Sequence, residues 1–270
     1  MKIMAQIKIL FLGDIVGKIG RKAVTKILPK LKKQYQPDFV VANAENLSHG
    51  KGISKKTLDE MLAVGIDFFT SGNHVWQNDE AQSILADKKY PIIRPANYPD
   101  TVAGDGYRII NIGVYQILFA NLLGQAFFTE SFANPITTLE NILQENEQKK
   151  IHGIFVDFHA EATSEKQVLG HYFDGKINAL VGTHTHIQTA DEKILPKGTA
   201  FITDAGMCGF AEGSLGVDLK NVTKKFLTQI STAHEIPEHG SCQVNGIFVI
   251  IKPEIGKAIK IERISESVDV

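Results

Sequence analysis

Two histidines one residue apart, in Gly182-Thr183-His184-Thr185-His186, follow the apolar run Ile177–Val181. Side chains at i and i+2 of an extended segment share a face, so at a strand end both imidazoles can point at one spot. Gly72-Asn73-His74 offers an amide oxygen and a further imidazole much earlier in the chain. Asp14, Glu45, Asn73 and His159 also close predicted strands. Carboxylate, amide and imidazole donors recurring at strand ends are what a two-metal hydrolase requires.

The donor mixture suits iron, manganese, zinc or cobalt better than an all-oxygen calcium cage. It contains no thiolate, which argues against a closed structural zinc site. Each residue alone has an ordinary reading. An Asp after a strand is more often a turn or helix cap, and Glu45-Asn46 could simply open the loop Ser48-His49-Gly50-Lys51-Gly52. A lone His159 could be a hydrogen-bonded, half-buried histidine. It is the joint placement at strand ends that favours a metal centre. His49, His152, His171, His234 and His239 read as surface or supporting residues.

These residues need elements to position them. Ile7–Leu12, Phe39–Ala42 and Ile66–Thr70 read as buried strands, separated by helical spacing over Arg21–Tyr35 and Ser54–Val64. Asn78-Asp79-Glu80 opens a further helix. Tyr107–Gly113 and Tyr115–Asn121 form a strand pair, and Asn134-Pro135 starts a helix with proline at its first position. Strand Ile154–Phe158, helix Ser164–His171 and strand Ala179–Gly182 follow, then strands Ala200–Thr203, Val244–Ile251 and Ala258–Ile264. Open α/β sheets collect ligands beyond the carboxyl ends of their strands, where the candidate donors fall. The expected fold is an α/β sandwich, two central mixed sheets flanked by helices, with residues 1–270 forming one domain. Segment Gly209–His239, rich in glycine and polar residues, is read as a flap over the site.

The chain of 270 residues is 43% hydrophobic and 22% charged, an ordinary globular composition. Lys+Arg 29 against Asp+Glu 30 gives a net charge of −1, so no global field recruits nucleic acid or membrane. RNA would have to be recognised locally. Cys208 and Cys242 are too few for a disulfide framework and fit a reducing cytoplasm. The run Ile9–Leu12 is too short for a signal peptide core or a spanning helix, so the expected location is cytoplasmic. Oligomeric state is left open, a homo-oligomer included.

Gly13-Asp14, Gly72-Asn73-His74, His159 and Gly182-Thr183-His184-Thr185-His186 resemble, in order, the motifs of the calcineurin-like metallophosphoesterase superfamily. Two departures narrow the resemblance. Asp14-Ile15-Val16 replaces the usual Asp-x-His, and Asn43-Ala44-Glu45-Asn46 replaces the bridging aspartate motif. Both are the pattern of the YmdB-type bacterial phosphodiesterases. Gln188-Thr189-Ala190-Asp191-Glu192 and Thr203-Asp204-Ala205-Gly206-Met207-Cys208-Gly209 also look like that group.

The resemblance implies that Glu45 bridges two metals, with Asp14, His186 and Asn46 at the first. Asn73, His159 and His184 complete the second, and His74 is the proton donor. The implied metals are iron, with manganese or zinc as substitutes. The implied substrate is a small phosphodiester, most of all a 2′,3′- or 3′,5′-cyclic nucleotide. A metal-bridging hydroxide would attack phosphorus while His74 protonates the leaving alkoxide. Two rival readings compete. An H-x-H pair also marks metal amidohydrolases of the (β/α)₈ barrel, although there it is expected at the first strand. A non-catalytic, metal-stabilised regulator that binds RNA or protein is the other; the near-neutral charge weighs against broad RNA binding.

Overall fold

The computed structural model describes residues 6–270. Its first half runs β1 (Ile7–Leu12), β2 (Asp14–Ile15), α1 (Gly17–Tyr35), β3 (Phe39–Asn43), α2 (Lys55–Val64), β4 (Phe68–Thr70), a 3-10 turn (Asn73–Gln77) and α3 (Ala81–Ala86). Then come β5 (Tyr107–Ile112), β6 (Tyr115–Leu123), α4 (Pro135–Glu145), β7 (Gly153–His159), α5 (Thr163–Tyr172) and β8 (Ala179–Thr183). The chain ends with β9 (Lys193–Ile194), β10 (Ala200–Ile202), β11 (Met207–Phe210), α6 (Leu219–Thr228), β12 (Ser241–Lys252) and β13 (Lys257–Asp269).

Two mixed sheets result. One has the order β2-β11-β12-β1-β3-β4 with β13 added against β12, and the other has β5-β6-β7-β8-β10-β9. Alternation along β1 explains the layering. Ile7, Ile9 and Phe11 face the second sheet, where they meet Phe119, Phe155 and Val181, while Leu10 and Leu12 pack under α1 with Ile19, Val24 and Leu28. The outer face of the second sheet is covered by α4 and α5 through Leu139, Leu169 and Phe173. Strands buried on both faces read as continuous apolar runs, which is why the alternation is hard to see in the sequence. This is the expected sandwich of two mixed sheets flanked by helices, not a closed barrel, and it removes the amidohydrolase reading. The H-x-H pair follows β8 in the second sheet.

Parallel pairing of β1 with β3 and β3 with β4, and of β7 with β8, brings their carboxyl ends to one edge of the sandwich. The loop after β3 is pinned before α2 begins. Ser54 caps α2 by accepting from Thr57 N, Thr57 Oγ1 accepts from Ser54 N, and Ser48 Oγ reaches Ser54 Oγ at 2.9 Å. Such a reciprocal cap is worth about 1 kcal/mol.

Three details differ from the sequence reading. Helix α1 starts at Gly17, four residues before Arg21, without a side-chain cap to announce it. The short strands β2, β9 and β11 carry too few residues to show a period. Segment Gly209–His239 holds the end of β11 and all of α6, in which no residue is buried. Among the described residues no helix is long and apolar enough to cross a membrane.

Candidate metal centre

Glu45 occupies the middle of the site. Asn43, at the end of β3, donates through Nδ2 to Ser71 O (3.0 Å) and Asp157 Oδ2 (2.9 Å), and its Oδ1 accepts from Glu45 N (3.0 Å). That clamp turns the chain so that the buried Glu45 carboxylate faces the end of β7. Its Oε2 lies 3.0 Å from His159 Nε2 and accepts from His74 N at 3.2 Å. Two clusters share it. Glu45, His159 and His184 offer ligand atoms within 4.8 Å of one another, and so do Asp14, Glu45 and His186. Asn46 Oδ1 stands 3.2 Å from His186 Nε2. Asn73 opens the 3-10 turn beside them, with its Oδ1 buried and unpartnered among the described residues. All seven predicted donors therefore come to the same end of the sandwich, and His74 with them.

The hydrogen bonds behind the ring nitrogens assign their tautomers. Thr183 Oγ1 donates to Asp157 Oδ1 at 2.7 Å, so it must accept from His159 Nδ1 at 2.9 Å. His159 Nε2 is left to donate to Glu45 Oε2 at 3.0 Å. His184 Nε2 faces Glu161 Oε2 at 3.1 Å, which frees Nδ1. His186 Nδ1 donates to Leu215 O at 3.0 Å, which frees Nε2. Asn46 Nδ2 donates to Gly50 O at 2.8 Å, so Oδ1 is the atom presented. Acceptor then faces acceptor where His186 Nε2 meets Asn46 Oδ1 at 3.2 Å. Such a contact is repulsive unless positive charge sits between the two atoms.

Asp14 Oδ1 and Asn73 Oδ1 are buried with no hydrogen-bond partner among the described residues. An uncompensated acceptor of this kind costs about 1–3 kcal/mol. Together these features fit a donor set built for cations.

Electrostatics point the same way. Burial pushes the Asp14 carboxyl up to about 7, against the pull of His159 and His186. Burial also holds His184 down to about 3, helped by the neighbouring His159, and lowers His74 against the pull of Glu45. The Glu45–His159 pair is the exception. Burial opposes both charges, yet the attraction between them lifts His159 to about 9 and holds Glu45 below the usual carboxylate range. His184 and His186 have φ of 95° and 65°, a left-handed backbone that non-glycine residues adopt at a cost and that clusters at functional sites.

Gly72 shows how tightly the cradle is shaped. A Cβ there would lie 2.2 Å from Glu45 Oε2 and 2.5 Å from His159 Nε2. Its φ of −156° is open to any residue, so what requires glycine is the space beside the donors, not the backbone. Gly72→Ala is expected to fold and to lose most bound metal; elemental analysis beside a circular dichroism spectrum checks this.

The sequence reading missed the residues behind the ligands. Asp157 accepts from Thr183 Oγ1, Thr70 Oγ1 and Asn43 Nδ2, so one buried carboxylate braces both His159 and the Glu45 turn. Its position two residues before His159 on β7, hence on the same face, was the available signal. Asp157→Asn puts an amide where three donors converge and is expected to weaken metal binding by about 10–100-fold, as for other supports of metal ligands. Competition with a fluorescent chelator measures it. Buried Lys166 and Asp204, 2.8 Å apart, hold the H-x-H loop from below, because Asp204 Oδ2 also accepts from Thr185 N and Oγ1.

Four of the donors, Glu45, Asn46, His184 and His186, line a recess of about 210 Å³ together with His74 and Glu161. It has a larger cavity on each side. One, of about 810 Å³, lies between the Ser48–Lys51 loop and residues Ser214–Ile236. The other, of about 650 Å³, is walled by Phe127, Phe128 and Glu130. His74 lines all three spaces.

Residues 10–264 match the model of the YmdB-like protein family. The chain is 42% identical over 257 residues, covering 95% of it and 96% of the relative, to a 2′,3′-cyclic-nucleotide 2′-phosphodiesterase of Bacillus subtilis strain 168. It superposes on a crystal structure of a novel phosphatase from Mycoplasma pneumoniae with TM-score 0.92 and 35% identity, covering 99% of this chain and 95% of that one. A hypothetical protein from Thermus thermophilus gives TM-score 0.89 and 32% identity over 97% and 99% of the two chains.

Proposed function

The chain belongs to the YmdB-like family, and on that footing we propose that it is a two-metal phosphodiesterase acting on small phosphodiesters, 2′,3′-cyclic nucleotides foremost. The observation that carries this reading is the pair of ligand clusters sharing Glu45, with His74 beside them and outside both. Asp14, Glu45, Asn46 and His186 would hold the first ion; Glu45, Asn73, His159 and His184 would hold the second. The nitrogen and oxygen donors favour iron, with manganese or zinc able to replace it. Where the wider superfamily has a histidine this chain has Val16, which lines the larger cavity and cannot ligate. Asn46 Oδ1, 3.2 Å from His186 Nε2, would add an oxygen donor there.

Bound there, two ions would supply Lewis-acid charge to the phosphoryl group and lower the cost of forming the nucleophile. The remaining work falls to the protein. The recess of about 210 Å³ has room for a phosphoryl group beside Glu45, His184 and His186. His184 and His186 are held by Glu161 and Leu215 O, so neither ring rotates as charge develops. His74 is bonded to the site through its backbone N–H to Glu45, and its ring borders every space a leaving group could occupy. It delivers the proton to the departing 2′-oxygen.

The test is hydrolysis of 2′,3′-cyclic AMP by protein reconstituted with iron, manganese or zinc. Metal-dependent formation of 3′-AMP is expected. No turnover with any of the three metals would contradict the proposal and leave the non-catalytic reading in its place.

A further inference from the structure

The recess that would hold the reacting phosphoryl group has two neighbours of opposite character. The cavity beside Phe127 and Phe128 carries Glu130 and Glu161 and no lysine or arginine, so it suits an uncharged nucleoside face. The cavity beneath residues 214–236 is the reverse: Lys51 and Lys225 line it among apolar side chains, and no aspartate or glutamate does. A cyclic mononucleotide has one phosphate, already at the metals, and gives those cations nothing to bind.

We propose that the substrates are RNA fragments ending in a 2′,3′-cyclic phosphate, with the preceding phosphodiester held in the cationic cavity. The inference rests on the phosphodiesterase reading above and names its substrate class. A terminal ribose over the recess would send its base toward Phe128 and its 5′-phosphate toward Lys225, since both cavities meet the recess at His74. The volume of about 810 Å³ lies in the upper part of the ~300–1,000 Å³ range of small-molecule sites, room for a further nucleotide. Phe226, next to Lys225, is 75% exposed and faces the same cavity. An exposed aromatic beside a cation is the arrangement that stacks a base of single-stranded nucleic acid. The net charge of −1 does not oppose this, because the cations are gathered locally.

The reaction is a hydrolysis. Water adds to phosphorus, the bond from phosphorus to the 2′-oxygen breaks, and that oxygen takes a proton. The fragment leaves with a 2′-hydroxyl and a 3′-phosphomonoester, ready for an enzyme that consumes 3′-phosphate ends. Its substrate must come from RNA cleavage by attack of the 2′-hydroxyl on the adjacent phosphate.

The experiment compares kcat/KM for the adenylyl dinucleotide ending in a 2′,3′-cyclic phosphate with that for 2′,3′-cyclic AMP, in the native protein and in Lys225→Met. Helix α6 has no buried residue, so the substitution removes no core contact. The ratio also cancels any loss common to both substrates. A native ratio of about tenfold or more, the order expected of one charge-assisted phosphate contact, falling to near one in K225M supports the inference. A native ratio near one, or a preference that survives K225M, overturns it. Should the metal-loaded native protein leave 2′,3′-cyclic AMP intact as well, the phosphodiesterase reading falls with it; equal turnover of the two substrates overturns the substrate-class inference and leaves that reading standing.

Discussion

Glu45→Ala is expected to bring bound metal from about two equivalents to below one and to cut turnover about 10³-fold or more. Glu45 is the member common to both ligand clusters, so its loss opens two sites at once. Lewis-acid stabilisation by bound metals is worth several kcal/mol in the transition state, and each ~1.4 kcal/mol is tenfold in rate. The variant should still fold. Glu45 lies in the turn after β3, and the sheet core of Phe11, Phe119 and Phe155 does not touch it. Far-UV circular dichroism is therefore expected to match the native protein, while elemental analysis does not. A variant that keeps two full equivalents would contradict the shared position of Glu45.

His74→Ala should separate metal binding from proton transfer. The ring is outside both clusters, and its tie to Glu45 runs through the backbone N–H, which alanine keeps. Metal content is expected to stay at the native value while turnover of 2′,3′-cyclic AMP falls by about 10²–10⁴-fold, the usual contribution of a general acid. The leaving group provides the internal control. A p-nitrophenolate departs with little proton help, so the same variant should lose far less on bis-p-nitrophenyl phosphate. Equal losses on the two substrates would exclude proton donation, and loss of metal would make His74 a ligand.

The fold and the polar residues that end its strands were legible for one shared physical reason. Buried parallel strands are long apolar runs, so the polar residues that end them are conspicuous. Asp14, Glu45, Asn73, His159 and His184 could be read that way, and the structure brings all of them to one edge of the sandwich. The supports were not legible. Asp157 is masked by the apolar residues around it in β7, although its three hydrogen bonds brace His159 and the Glu45 turn. Gly72 matters through a clash that only three-dimensional packing reveals.

Segment Gly209–His239 resisted reading because periodicity reports burial, and α6 buries nothing. Its residues instead wall the 810 Å³ cavity, to which Val222, Lys225, Phe226 and Gln229 contribute at helical spacing.

Titration of chelator-stripped protein with iron(II) or manganese(II), counting ions bound per chain while following 2′,3′-cyclic AMP hydrolysis, tests the central claim most directly. Turnover is expected to be absent without metal and to rise until two ions are bound. Hydrolysis by the metal-free chain, or full activity with a single ion, would contradict a two-metal site built around Glu45.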